Sequence, residues 1–320
     1  MRAVQNQQLR YNNLSRQGIL ENSVIKSLIP AYLLIYERNE DSMRTQAKAG
    51  TSPNLADMTR IYHRDGYFYP LQVLTEDEAL ALREDYESAE YDLRNDPERL
   101  SLLKAYPNRL IPSFDAFTRH ETLVNAAAAI LGENLLVWSA ALFIKEAESP
   151  HIVSWHQDLT YWQLNNDEEV TCWLAISDAS KEAGCMKFVP ESHQTSILPH
   201  NDTFAADNLL SRGQEIAVDV DEDSAVHAAL RAGEASLHHG LIFHSSGPNT
   251  TSDRRIGSAI RYISASMKQT TGDRPMVTQV SGYNDSQDNF TILPPPQGRL
   301  LEEEFRLCAE DAAMKKRLLL

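Results

Sequence analysis

The chain has 320 residues and a mass of 36.1 kDa, enough to bury one large core without disulfide staples. Hydrophobic residues at 42%, charged residues at 23%, 13 Gly and 14 Pro exclude a collagen-like or wholly disordered chain. Thirty Lys and Arg against 45 Asp and Glu give a net charge of −15, a field that repels phosphate backbones and anionic membrane surfaces, so neither nucleic acid nor membrane is an expected partner.

Residues 1–55 are polar and weakly periodic, and are expected to form an N-terminal extension, flexible or loosely docked. Within it, Arg2, Arg10 and Arg16 without an acidic residue in the first 20 positions share the composition of a transit peptide, a minor alternative to a plain arm. Ser27 to Tyr36 is apolar but holds Pro30 and is about half the roughly 20 residues a membrane span needs. Ala49-Gly50-Thr51-Ser52-Pro53 reads as a linker, and residues 56–320 as a single domain. Thr75 followed by Glu78 is a capping-box pattern, and Ala79, Leu82, Tyr86 and Ala89 recur at helical spacing, predicting a helix over 76–91. Leu123, Ala127, Ile130 and Leu131, closed by Gly132, predict another over 120–131.

From Leu135 the texture changes to short apolar or alternating runs between Gly, Pro, Asn and Asp. Strands are predicted at Leu135–Lys145, Val153–Asp158, Val170–Ile176, Cys185–Val189, Glu234–Leu237, Leu241–Ser245 and Ile256–Ser264, with a closing helix over Leu301–Leu320. Helices followed by many strands, without βα alternation, give a mainly β chain with flanking helices (α+β) whose second half is a sandwich or barrel. The cysteines Cys172, Cys185 and Cys308 are odd in number and far apart, which points to a reducing compartment and a cytoplasmic address. No feature of the sequence marks an oligomeric state.

The informative segment is Ser154-Trp155-His156-Gln157-Asp158. Side chains two apart on a strand share a face, so His156 and Asp158 project together while Gln157 turns away. A distant histidine would complete a two-His, one-carboxylate face, which leaves three adjacent metal positions open, as in non-haem Fe(II) oxygenases. His244 is the candidate, 86 residues beyond Asp158. Arg255 follows it by 11 residues at the head of a strand-like run, where a guanidinium can grip the far carboxylate of a dicarboxylate whose keto-acid end chelates the metal.

With these residues in view, the chain resembles the phytanoyl-CoA dioxygenase family of Fe(II)/2-oxoglutarate-dependent oxygenases. The likeness is carried by Trp155-His156-Gln157-Asp158, by Gly184-Cys185-Met186-Lys187-Phe188-Val189-Pro190-Glu191-Ser192-His193, and by His244-Ser245-Ser246-Gly247-Pro248-Asn249 with Arg255. It covers roughly residues 58–290, including Tyr62-His63-Arg64-Asp65-Gly66-Tyr67 ahead of Leu74-Thr75. It implies a double-stranded β-helix core, iron on His156, Asp158 and His244, the 2-oxoglutarate 5-carboxylate on Arg255 with help from Ser246, dioxygen as the third reactant, and Lys145 near co-substrate or substrate. Halogenating relatives lack the metal carboxylate; Asp158 is present, which favours hydroxylation. Many relatives have Gly where Glu191 stands.

Around this centre, Arg261 shares the face of Arg255 and is a candidate for a substrate anion. Tyr161, Trp162 and Trp173 are candidate walls, Trp173 on the co-substrate side, and His239 is a candidate substrate contact. His238 and His239 are adjacent on a strand and cannot both serve one ion. His193 reads as a loop-stabilising residue. The implied reaction hydroxylates an aliphatic C–H of a small anionic metabolite such as an amino acid, carboxylate or aminophosphonate, releasing succinate and CO2. An acyl-CoA or lipid hydroxylase of the same family, a non-redox metal-dependent cupin-type enzyme and a binding barrel are the alternatives.

Overall fold

A computed structural model describes residues 54–210, 212–283 and 289–318. The linker and nearly all of the N-terminal extension expected above lie outside them. Asn54 caps the first helix, α1 (Leu55–Asp65), which Gly66 ends in the left-handed region at φ 84°. Strand β1 (Tyr67–Gln72) follows, then α2 (Glu76–Asp92), started by the expected reciprocal Thr75–Glu78 box. Three short helices were not foreseen: α3 (Pro97–Ala105), α4 (Pro107–Leu110) and α5 (Pro112–Thr118). Each opens on a proline, whose fixed φ and missing N–H suit a first helical position, but none is long enough to show a hydrophobic period. Helix α6 (Glu121–Leu131) lies where expected.

The remainder supplies β2 (Leu135–Lys145), β3 (Val153–His156), β4 (Glu169–Ala175), β5 (Met186–Phe188), β6 (His200–Asp202), β7 (Gln214–Ile216), β8 (Val226–Ala228), β9 (Glu234–His239), β10 (His244–Ser246), β11 (Arg255–Ser264), β12 (Met276–Ser281), β13 (Thr291–Ile292) and helix α7 (Glu302–Leu318). The major sheet runs β1-β9-β4-β11-β2-β12-β13 and the minor sheet β3-β10-β5-β8, with β6 and β7 a separate pair. This is the double-stranded β-helix that the family resemblance implies.

Alternation along the major sheet builds two layers. On β11, Ile256, Ile260 and Tyr262 join the core formed with the helices through Met58, Tyr86, Leu103 and Leu123. The opposite parity faces the barrel interior, where Ala259, Trp173 and Ala175 pack with Tyr67, Phe188 and Ile242. Pairing of β11 with β2 skips Trp138 between Arg261↔Ser139 and Tyr262↔Val137, a bulge that turns Trp138 into a third cluster with Trp162 and Met267. A Cβ on Gly257 would lie 1.9 Å from Cζ2 of Trp173, so the indole crosses the strand only because that position has no side chain. Gly257→Ala is therefore expected to destabilise the fold by about 3 kcal/mol, the upper part of the usual overpacking range, read as a lower urea midpoint; an unchanged midpoint would contradict the packing described.

Candidate metal centre and pocket

His156 is the last residue of β3, and strand pairing stops there. The predicted strand through Asp158 is thus too long: Asp158 opens a 3-10 turn over Asp158–Tyr161. Gln157 nevertheless keeps extended backbone at φ −118° and ψ 124°, so the two-residue alternation survives the end of the ladder. Gln157 turns away, donating to Leu241 O and accepting from Leu198 N, both at 2.9 Å. His244 opens β10 and is the direct cross-strand partner of His156, their ring centroids 4.0 Å apart.

The three side chains offer donor atoms that all lie within 4.8 Å of one another, and all three residues are buried. Asp158 Oδ1 is 3.2 Å from His156 Nε2 and 3.9 Å from His244 Nε2. An ion about 2.0–2.2 Å from each atom is compatible with such separations. The Nδ1 atoms of His156 and His244 lie 2.9 and 3.0 Å from the carbonyls of Ser154 and Ile242. Nδ1–H donation to those carbonyls leaves both Nε2 lone pairs free for a metal. Burial, reinforced by His156, pushes His244 down to about 3, so it is neutral at physiological pH. Burial alone would raise the Asp158 carboxyl, but Arg261, the His156 hydrogen bond and His244 outweigh it and hold the group ionised. The donor set is therefore a charged carboxylate and two imidazole nitrogens, the chemistry a divalent ion requires.

Behind the triad, Lys145 and Arg255 are cross-strand partners on β2 and β11, both fully buried, and neither pairs with a carboxylate among the described residues. Lys145 Nζ donates to Ser246 Oγ at 2.7 Å and to Gly247 O. Arg255 Nη1 donates to Gly184 O at 2.9 Å, its Nε has no partner, and its guanidinium lies 5.2 Å from the Trp173 ring centroid. Burial, with the Arg255 charge, pushes Lys145 down to about 6, and burial pushes Arg255 down to about 10. A buried guanidinium beside a buried amine that an arriving anion would protonate, with no carboxylate between them, fits the carboxylate of a bound dicarboxylate.

Beside the triad lies a cavity of about 270 Å³ whose lining includes His156, Asp158, Tyr161, Trp162 and Arg261. Sequence reasoning missed its other walls, including Trp138, Phe143, Leu209, Leu210 and Lys315. Lys315 comes from α7, and no local pattern signals that a C-terminal helix will dock there. A larger depression of about 450 Å³ beside Arg119 and Pro295 shares no residue with this cavity. Trp173 sits under Arg255 instead of in the cavity.

His239 is corrected. It faces the helix side, its ring 6.2 Å from Tyr62 and 5.4 Å from His193. Its neighbour His238 faces the interior, 4.8 Å from His244, with neither ring nitrogen hydrogen-bonded. His193 Nε2 lies 3.2 Å from His63 O, tying its loop to α1. Glu191 has φ 65°, a conformation glycine adopts freely.

Fold, triad and the buried Arg255–Lys145 pair together fit the class of non-haem Fe(II), 2-oxoglutarate-dependent oxygenases. The chain matches phytanoyl-CoA dioxygenase (PhyH) over residues 62–257, more than half its length, and it belongs to that family. It is 27% identical over 192 residues to the probable alpha-ketoglutarate-dependent hypophosphite dioxygenase of Stutzerimonas stutzeri, covering 58% of this chain and 66% of that protein. It is 28% identical to human peroxisomal phytanoyl-CoA dioxygenase over 42% of this chain and 41% of that protein. The chain thus spans less than two thirds of the length of either curated relative. Among solved structures, the apo non-heme monooxygenase ThoJ superposes with a TM-score of 0.74 at 28% identity, covering 82% of this chain and 97% of that one. The epimerase SnoN, solved with Fe3+ and alpha ketoglutarate, shares the fold at 20% identity and a TM-score of 0.54, over 67% of this chain and 85% of that one. No helix among the described residues is long and apolar enough to cross a membrane.

Proposed function

We propose that the protein hydroxylates an unactivated aliphatic C–H of a small anionic metabolite, such as an amino acid, carboxylate or aminophosphonate. In balance, substrate, 2-oxoglutarate and O2 give hydroxylated substrate, succinate and CO2, one oxygen atom entering each organic product. Bound Fe(II) supplies the oxygen activation. The observation that carries the reading is the pairing of a two-His, one-carboxylate triad with a buried guanidinium and a buried lysine amine that no carboxylate among the described residues answers.

His156, Asp158 and His244 would hold the ion, a donor set suited to Fe(II). Arg255 and Lys145 orient the co-substrate carboxylate, with Ser246 fixing the ammonium. Trp138, Trp162 and Phe143 exclude water from the substrate side. The hypophosphite named for one relative is itself a small oxyanion, in keeping with a compact anionic substrate. The phytanoyl-CoA named for another would bring a much larger molecule to a cavity of about 270 Å³, below the roughly 300–1,000 Å³ of drug-sized sites. Succinate release across a panel of amino acids, carboxylates and phosphonates tests the proposal, and turnover only with acyl-CoA thioesters would overturn the substrate class.

The depressed Lys145 gives a pH signature. Its folded value of about 6 lies below the ordinary 10.5, so between those limits the unfolded chain holds more protons and this group's contribution to stability rises with pH. An arriving carboxylate favours the ammonium form. Binding of 2-oxoglutarate at pH 8 should therefore take up about one proton and weaken by up to about tenfold per pH unit above 6. Calorimetry in buffers of different ionisation enthalpy reads the uptake; proton release, or affinity flat from pH 6 to 8, would remove Lys145 from the co-substrate site.

A further inference from the structure

Arg261 lies on the interior face of β11, six residues beyond Arg255, and is nine-tenths buried at 9% exposure. It donates no hydrogen bond to any described residue, and its Nε is buried without a partner. The nearest carboxylate oxygen is Asp158 Oδ2, 3.6 Å from Nε, beyond hydrogen-bond reach. The guanidinium is held instead between the rings of Phe143 and Trp162, at 5.6 and 5.5 Å from their centroids. Of the five donors of its guanidinium, the Nε–H is thus buried without an acceptor, which is costly.

The other cation of the cavity differs. Lys315 is neutralised by Asp311 at 2.9 Å and also donates to Trp138 O at 3.3 Å. Among the described residues, Arg261 is therefore the cavity cation whose one ion pair carries no hydrogen bond. The rest of the wall is apolar, dominated by the stacked Trp138 and Trp162 rings, 4.8 Å apart, and by Leu209 and Leu210.

We infer that Arg261 is the specificity-determining residue of the substrate pocket: it grips one carboxylate or phosphonate of a compact amphiphilic monoanion, whose apolar body lies against Trp138 and Trp162. The inference rests on the oxygenase reading above and narrows its substrate class. A single carboxylate, that of Asp158, separates the guanidinium from the triad's ligand atom. A substrate anion held there presents the carbons α or β to itself toward the triad. A neutral thioester carbonyl, as in an acyl-CoA, would leave the charge unanswered.

The test uses protein loaded with Mn(II) and saturated with 2-oxoglutarate under anaerobic conditions, with intrinsic tryptophan fluorescence as the readout. The probes are 3-phenylpropanoate and its uncharged amide, which share one apolar body. Wild type is expected to bind the carboxylate at least about tenfold more tightly than the amide, the discrimination of a charge-assisted pair. At saturating Mn(II), Arg261→Gln is expected to bring that ratio near one, and Arg261→Lys to keep part of it. Equal binding of the two probes by wild type, no binding of either, or an undiminished ratio in Arg261→Gln would overturn the inference. Loss of metal from Arg261→Gln would also overturn it, by making Arg261 a support for Asp158. Failure of the oxygenase reading is seen separately, as wild type that binds neither Fe(II) nor 2-oxoglutarate.

Discussion

Asp158→Ala is expected to abolish Fe(II)-dependent consumption of 2-oxoglutarate. The substitution removes the one carboxylate donor of the triad and leaves two imidazoles, on β3 and β10, to face a divalent charge without an anionic ligand. Loss of an outer-shell partner already lowers metal affinity by about 10- to 100-fold in typical sites, so loss of a charged ligand should exceed that range. The variant also removes the carboxylate that pairs with Arg261 at 3.6 Å, so some loss of stability accompanies the chemical defect. Metal content after gel filtration, together with succinate yield, separates the two effects. A folded Asp158→Ala protein that retains stoichiometric iron and wild-type turnover would refute the assignment.

Arg255→Leu has the second-largest expected effect, and its sign differs between the free and bound states. In free protein the guanidinium is fully buried beside Lys145 with no carboxylate to answer it, so an apolar replacement should be neutral or stabilising by about 1–4 kcal/mol. With co-substrate bound, the same change removes one half of a buried charge pair, at about 2–5 kcal/mol. That corresponds to a loss of 2-oxoglutarate affinity of roughly 30- to several thousand-fold. Thermal denaturation with and without the co-substrate reads both signs together. The expected pattern is a free-state midpoint at or above wild type and a smaller upward shift when 2-oxoglutarate is added. A midpoint well below wild type with the full ligand shift would place Arg255 in the framework and not in the site.

The two layers of the barrel explain which features the sequence made legible. On β11 the apolar parity packs against helices while the opposite parity carries Arg255 and Arg261 into the interior, so their six-residue spacing correctly put them on one face. The same rule applies to β9, where Ala235 and Leu237 face the helices. The polar parity therefore carries His238 inward, and His239 goes with the apolar set. Phase, more than pattern, decided that pair. The histidine–aspartate spacing was read on a strand that ends early, and it held because extended backbone at Gln157 preserved alternation. Short strands such as β6, β7, β8 and β13 have two or three residues and carry no readable period. Lys315 and the Trp138 bulge arise from tertiary docking and register, which no local spacing encodes.

Anaerobic titration of the purified chain with Fe(II) in the presence of 2-oxoglutarate, followed by visible absorption, tests the central claim most directly. A weak charge-transfer band that saturates at one iron per chain, and is missing from His244→Ala, is the predicted result. A wild-type protein that develops no band, or a His244→Ala protein that develops it in full, would contradict a single ion held between β3 and β10.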